Sequence, residues 1–390
     1  MNKLVLIISH FSPCPAQSGE SVRLRNLIRF YRSREYRVVL LLKGDFDKET
    51  VRSDNKDLVD TVYFVSEFRS FRTLFNIPYQ ILKIMEVGNI KAYFYDLHIV
   101  QAAKELCHKY NPSIVMSEYL YLAPYLKYAP AGALKIVDTI DVFSRKEREL
   151  CGYGIEFPLA CTEEEERKYL LNSDLVLGIQ LDETALLRKM LPEKDIINVG
   201  VDMPVDPLSK LVSKEKILLV VGGLNNNNVH GVEAFLRESW NLICSANADV
   251  LLRVVGSVCK KVNKNLVSER VEFVGIVDDL RAEYENADIV INPVVAGTGL
   301  KIKTIEAMCY GKPLVSTPNG VEGIPVENPK RAPFEVADTY EAFVDIVVEL
   351  LTDDGKRNKI AKNAVDYVSK YFSSEYIYRD LRDRLAVHEQ

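Results

Sequence analysis

Lys301, Lys303 and Glu306 follow a Gly297-Thr298-Gly299 loop at a spacing that suits the binding of an anion. Glycines let a backbone approach a ligand closely, and the free N–H groups of a helix start attract phosphate. Two lysines at such a start oppose the helix dipole, so they call for a compensating anion, and a bound diphosphate would supply one. Spacing alone equally allows a solvated turn in which Lys303 pairs with Glu306 at i,i+3.

The stretch that positions these groups, Ala287 to Ile324, reads as strand, Gly-rich loop, helix, turn and strand. Asp288 to Asn292 is the short apolar run of a buried strand. Leu300, Ile305 and Met308 recur at helical spacing with small Ala307 between them, and Gly311 and Pro313 end the helix.

The same strand, loop, helix device occurs twice more. Lys3 to Ser9 reads as a strand, His10 to Gly19 as a loop and Glu20 to Ser33 as a helix capped by Ser18. This places Gly19 and Arg23 near the carboxyl edge of a parallel sheet, where open α/β sheets bind ligands. Further on, Lys216 to Val221 reads as a strand, Gly222 to Gly231 as a loop and Val232 to Ile243 as a helix. His230 in that loop is equally a ligand contact or a surface histidine. Glu118, Asp138, Gly256 and the Gly275-Ile276-Val277 turn stand at or just after the ends of other strands. Asp141 is read either as a site carboxylate or as the cap of a helix starting near Val142.

The 390 residues suit two domains rather than one. Strands alternate with helices throughout, which predicts two doubly wound, Rossmann-like parallel sheets. The first domain is read as residues 1–205 and the second as 206–372. Proline and polar residues over 203–213 mark the crossing. Three helical patterns close the chain, from Thr339, Asp354 and Ser373 onwards.

Net charge is −5, which argues against a general nucleic-acid binder. There is no long apolar run for a transmembrane helix, and the N-terminus reads as a strand rather than a signal peptide. Seven scattered cysteines without a CxxC pair fit reduced thiols in the cytoplasm. The five histidines show no metal spacing. Asp45-Phe46-Asp47 reads as a charged loop, and Thr162 to Glu165 as a capping box. Basic residues from Arg23 to Arg37, opposite Leu24, Leu27, Ile28 and Tyr31, and the Phe68–Phe75 stretch of arginines and aromatics, allow peripheral contact with the inner face of a membrane. A solvated helix face is the commoner reading.

The segment Glu306-Ala307-Met308-Cys309-Tyr310-Gly311-Lys312-Pro313-Leu314-Val315 resembles the donor-site signature of retaining family-4 glycosyltransferases of the GT-B type. That signature has a first Glu eight residues before the second, where this chain has Thr298. The chain is similar instead to a branch with GxGxKxKxxEAM. Asp138 to Ser144 resembles the branch's DxxDxxS, Gly200-Val201-Asp202 resembles part of the family's NGVD, and Glu322-Gly323-Ile324 resembles EGI. The likeness is strong over 216–324 and weak before 130.

The resemblance implies two domains facing across a cleft, with the last helix, 373–390, packing back on the first. It implies transfer of a sugar from a nucleoside-diphosphate sugar to a glycan, lipid-linked or other acceptor, with retained configuration and neither metal nor cofactor. The donor site would comprise Gly222, Gly223, His230, Gly256, Val277, Gly297, Thr298, Gly299, Leu300, Lys301, Lys303 and Glu306. Glu306 would hold the ribose, the lysines the diphosphate and the Val277 turn the base. Gly19, Arg23, Glu118 and Asp141 would form the acceptor side. Asp141, Lys301 and Glu306 are the catalytic candidates. A GT-B sugar-nucleotide epimerase and a degenerate sugar-nucleotide-binding subunit are the alternatives.

Overall fold

A computed structural model describes residues 3–16, 18–68, 97–157, 159, 161–209, 215–266 and 270–389. The Phe68–Phe75 patch, from residue 69 on, and the end of the predicted crossing, from residue 210 on, lie outside the described residues. The chain divides into two compact units. The first is Met1–Glu147, Pro158–Val201 and Tyr378–Gln390, and the second is Arg148–Phe157 and Asp202–Ile377.

In the first unit, β1 (Leu4–Ser9), α1 (Gly19–Ser33), β2 (Arg37–Leu42), α2 (Lys48–Asn55), β3 (Thr61–Phe64), α3 (Leu97–Tyr110), β4 (Ile114–Glu118), β5 (Leu134–Asp138), α4 (Phe143–Cys151, counted with the second unit from Arg148 on), α5 (Glu163–Leu170), β6 (Leu175–Gly178), α6 (Leu181–Met190) and β7 (Asp195–Asn198) follow in order. The strands form a seven-stranded sheet, β3-β2-β1-β4-β5-β6-β7, with every pairing parallel. β1 is buried along its whole length, as a central parallel strand covered on both faces must be. The strand order reverses between β1 and β4, which opens a crevice at their carboxyl ends.

The second unit repeats the plan. It contains β8 (Lys216–Val221), α7 (Asn226–Phe235), α8 (Asn241–Ala246), β9 (Val250–Val255), β10 (Val271–Gly275), α9 (Leu280–Asn286), β11 (Ile289–Asn292), α10 (Ile302–Cys309), β12 (Leu314–Ser316), β13 (Glu335–Val336), α11 (Tyr340–Thr352), α12 (Asp354–Tyr371) and α13 (Ser374–Ile377). Its six parallel strands are ordered β10-β9-β8-β11-β12-β13, so the reversal lies between β8 and β11. Leu218, Val220, Phe235, Trp240, Leu252, Ile291 and Phe343 belong to one buried cluster that joins sheet and helices. The last helix, α14 (Arg379–His388), belongs to the first unit, where Tyr378 stacks on Phe30 at 4.4 Å and the Tyr36 hydroxyl donates to Glu389 at 2.9 Å.

Two elements depart from the sequence reading. β13, only Glu335–Val336, carries too short an apolar run to be read from sequence. The predicted Gly222–Gly231 loop is cut short, because α7 starts at Asn226. Asn225 caps that start by accepting from the Asn228 N–H at 2.8 Å, a role asparagine fills well.

The apolar stripe of α1 is spent on the core: Leu24, Leu27, Ile28 and Tyr31 are all fully buried. Arg32 pairs with Asp60 at 2.7 Å and Arg34 with Glu389 at 3.8 Å. The apolar stripe of α1 is therefore not available to insert into a bilayer. Among the described residues, no helix is long and apolar enough to cross a membrane. Asp47 of the Asp-x-Asp sequence caps α2, and Thr162 and Glu165 form the predicted capping box of α5.

Candidate functional site

In the second unit the site candidates converge on the crevice between β8 and β11. β8 ends at Val221, and Gly222 turns against Gly256. An added Cβ at Gly256, where φ is +104°, would lie 2.3 Å from the Gly222 carbonyl, so this contact admits only glycine. Gly256 also donates its N–H to the Gly275 carbonyl at 2.6 Å. The ends of β8, β9 and β10 are thereby brought together, with Val277 two residues beyond and Ile276 exposed beside it.

The loop from Pro293 to Leu300 approaches from β11. Gly297 and Gly299 have φ of +115° and +78°, so the chain folds back on itself here. Thr298 and Leu300 are buried. Lys301 occupies the N-cap position of α10 and makes no side-chain cap bond. Its ammonium instead donates to the carbonyls of Gly297 at 2.8 Å, Thr298 at 3.3 Å and Gly299 at 3.1 Å. Lys301 is thus a buried internal cation that shapes the loop, rather than the outward phosphate clamp its spacing suggested.

Lys303, in the first turn of α10, reaches the Asn228 side-chain carbonyl at 2.7 Å, not Glu306. Asn228 in turn donates to the Gly223 carbonyl at 3.0 Å, and Asn227 donates to the Ala296 carbonyl at 3.3 Å. The asparagine run therefore stitches the two Gly loops together. Burial, with Lys301 as a second positive charge nearby, lowers the Lys303 pKa to about 7. An ammonium held that close to neutrality favours an anionic neighbour.

Glu306 stands one turn further along α10. Its Oε2 accepts from the Tyr284 hydroxyl at 2.9 Å, and Tyr284 is fully buried against Tyr310, with ring centroids 4.9 Å apart. Burial raises the Glu306 carboxyl above its usual range, while the phenol lowers it. His230, further along α7, makes an edge contact with the Tyr153 ring at 5.9 Å. Of the first-turn N–H groups of α10, that of Thr304 donates to the Lys301 carbonyl at 2.8 Å, and those of Ile302 and Lys303 lie too near the helix start to have an intrahelical partner. They add to Lys303 an array suited to phosphate, with the Glu306 carboxylate an acceptor for hydroxyls.

In the first unit the candidates lie at the carboxyl ends of β1, β4 and β5. Arg23 is 1% exposed, and its Nε and Nη2 hold both Asp138 oxygens at 2.6 Å. Its Nη1 donates to the carbonyls of Val199 and Gly200, each at 2.7 Å. A guanidinium so committed ties α1 to β5 and to the chain leaving β7. It does not extend toward a ligand. Glu118 is also fully buried, beside Asp138, and burial and that carboxylate push its pKa well up. Gly19 opens α1, with Ser18 as the predicted cap.

Glu166 from α5 caps the start of α4, accepting from the N–H groups of Phe143 at 2.8 Å and Ser144 at 2.9 Å. Asp141 forms an ion pair with Lys146 at 2.6 Å. Sequence reading missed the neighbouring groups. Tyr119 donates to Glu20 at 2.5 Å and packs on His10 at 4.9 Å between ring centroids. Tyr119 has φ +66°, a strained value for a tyrosine. Burial, with Lys43 nearby, lowers the His10 pKa to about 4, so its imidazole is neutral at neutral pH. The available signal was position, since His10 and Tyr119 directly follow β1 and β4, the strands that flank the reversal.

Residues 215–353 match the family described as glycosyl transferases group 1. Among solved structures, sucrose-phosphate synthase from Thermosynechococcus elongatus is similar over 98% of both chains, with a TM-score of 0.71 and 16% identity. A point mutant of S. aureus TarM, solved with fondaparinux, α-GlcNAc-glycerol and UDP, matches over 100% of both chains at a TM-score of 0.73 and 10% identity. HepE from Anabaena, solved with UDP and glucose, matches over 98% of this chain and 99% of its own at a TM-score of 0.68 and 14% identity. A curated relative, an uncharacterized 44.6 kDa protein in the cps region of Klebsiella pneumoniae, is 25% identical over 179 residues, 42% of this chain. The match spans 44% of that relative's length. The fold is that of the GT-B glycosyltransferases, two parallel-sheet α/β domains.

Proposed function

We propose that the protein is a glycosyltransferase that moves a sugar from a nucleoside-diphosphate donor to a glycan or lipid-linked acceptor in polysaccharide biosynthesis. The observation that carries this reading is the entrance of α10. One cationic side chain, Lys303, and the backbone N–H groups of Ile302 and Lys303 at a helix start stand one turn before Glu306, at the strand reversal of the second unit. The group 1 match over 215–353 supports it, as do the UDP complexes of TarM and HepE and the cps-region name of the relative.

In this reading Glu306 accepts from the ribose hydroxyls, positioned by Tyr284. The diphosphate lies against Lys303 and the α10 N–H groups. As the glycosidic bond breaks, negative charge builds on the departing diphosphate, and preorganised donors lower the barrier by meeting it. That cationic and N–H array is the basis for proposing metal-independent transfer, and the likeness of residues 306–315 to the retaining family's signature is the basis for proposing retained configuration. Lys301 acts one step removed, by fixing the carbonyls of its loop. Asp141, with Glu20 and Tyr119, is assigned to the acceptor side of the first unit.

Thermal stabilisation by UDP, GDP, ADP and CMP tests the donor site, with Lys303→Ala and Glu306→Ala alongside. A nucleotide far above its Kd stabilises by about 3 kcal/mol at a hundredfold excess. One nucleotide should raise the Tm of the wild type and neither variant should respond in full. Radiolabelled sugar transfer from that nucleotide's donors would then identify the sugar. No response to any nucleotide would overturn the donor reading and favour a degenerate subunit.

A further inference from the structure

A separate cavity of about 660 Å³ opens in the second unit, bordered by residues that follow β11, β12 and β13. Its size is that of a small-molecule site. Tyr153, Asn319, Glu322, Asp338, Tyr340 and Glu341 are among its lining residues, and neither lysine nor arginine is. It therefore offers the opposite chemistry to the α10 entrance. Carboxylates repel a diphosphate and accept hydrogen bonds from hydroxyl or ammonium groups. Tyrosine adds a broad apolar ring with a polar tip. Among the described residues no group of three acidic or other ligating side chains is placed to hold a metal ion.

The cavity is joined to the phosphate loop. Asn319 donates its Nδ2 to the Gly297 carbonyl at 3.0 Å, the same carbonyl that accepts from Lys301. Tyr153, also in the lining, is half exposed and makes a T-shaped ring contact with His230. A ligand here would lie next to the donor loop without touching the lysines.

We infer that this cavity binds sugar rings of an uncharged or amino-sugar glycan, as a subsite for the acceptor chain held apart from the diphosphate. The inference rests on the transferase reading for its role, though not for the binding itself. An acceptor-rich, lysine-free wall suits a ligand that brings many O–H or N–H donors and no negative charge. Exposed Asp338 and Glu341 take the hydroxyls, and the tyrosines take the apolar ring faces.

Saturation-transfer NMR on the full chain tests it with three probes: N-acetylchitotriose, its deacetylated trimer and a hyaluronan tetrasaccharide. Either chitosaccharide should bind, and the anionic tetrasaccharide should bind at least tenfold more weakly. Tyr340→Ala and the double substitution Asp338→Asn, Glu341→Gln should each weaken the chitosaccharide at least fivefold, while nucleotide-induced stabilisation stays as in the wild type. Asp338 and Glu341 are exposed, so that pair of changes leaves the fold intact. Equal binding in the variants, preference for the anionic probe, or no glycan binding by a protein that does bind a nucleotide would overturn the proposal. If no nucleotide binds but the chitosaccharide does, and the variants lose it, the subsite stands and only the donor reading fails.

Discussion

The hydroxyl of fully buried Tyr284 donates to Glu306 Oε2 at 2.9 Å, across from the turn of α10 that also carries Lys303. This bond fixes which oxygen of Glu306 is left to a ligand and holds the carboxyl below the value that burial alone would give it. Hydrogen bonds to charged groups contribute about 1.5–3 kcal/mol. Tyr284→Phe should therefore raise the nucleotide Kd about tenfold or more, at little cost in packing. Its Glu306 pKa should rise, so nucleotide binding should be lost at a higher pH on the acid side than in the wild type. A purely structural phenol would move the Tm but not that acid limb.

Lys301 and Lys303 should separate in mutagenesis, although they look alike in sequence. Lys301→Ala removes the donor shared by the Gly297, Thr298 and Gly299 carbonyls. Leaving buried acceptors unmet costs about 1–3 kcal/mol, so urea unfolding should show a loss of that order together with weaker nucleotide binding. Lys301→Arg should not rescue it, because a planar fork does not fit a nest built around a compact ammonium. Lys303→Ala should weaken nucleotide binding without destabilising the protein.

The pH dependence follows from Lys303. Its folded pKa, about 7, lies below the unfolded value of roughly 10.4. Between these limits the unfolded chain binds more protons, so this group makes the ligand-free protein more stable as pH rises through that window. Binding runs the other way. A diphosphate favours the ammonium, so affinity should fall above pH 7 and binding at pH 8 should take up a proton. Calorimetry in buffers of different ionisation enthalpy reads that uptake directly, and Lys303→Ala should abolish it.

The fold and the centre of the donor site could be read from the chain because both are local. Strand runs alternate with helices, and Gly297, Lys303 and Glu306 lie within one loop and helix. What could not be read is set by distant partners. Arg23 and Asp138 are 115 residues apart, and only the sheet order brings them together. Asp141 could be read as a cap because Glu166, which takes that role, comes from another helix. Tyr284 looks like an ordinary core residue until α9 meets α10. The asparagine run reads as a loop, and its stitching of two glycine turns appears only once both are in place.

The Arg23–Asp138 pair makes a prediction about stability alone. Breaking a buried, bidentate pair from one side strands the other charge, at about 3–5 kcal/mol. Asp138→Asn and Arg23→Met should each cost that much in urea unfolding. The double variant should recover part of the loss, since no charge is then left buried. Arg23→Met also frees the Val199 and Gly200 carbonyls, so it should be the worse of the two.

Glu118 gives the opposite sign. It is fully buried beside Asp138, and its pKa is raised well above the ordinary carboxyl value by burial first and by that carboxylate second. The unfolded chain releases this proton near pH 4.3, whereas the folded protein keeps it. Above that pH the native state binds more protons than the unfolded one, so this group lowers stability as pH rises, until it reaches the folded pKa. Glu118→Gln replaces a carboxyl whose protonated form burial favours with a neutral amide of the same shape. It should be at least as stable as the wild type at pH 7 and should flatten the decline in stability between pH 5 and 7. Urea titrations across that range, at fixed ionic strength, measure the slope. A Glu118→Gln protein that is several kcal/mol less stable at pH 7 would mean that the ionised carboxylate is the form the fold requires.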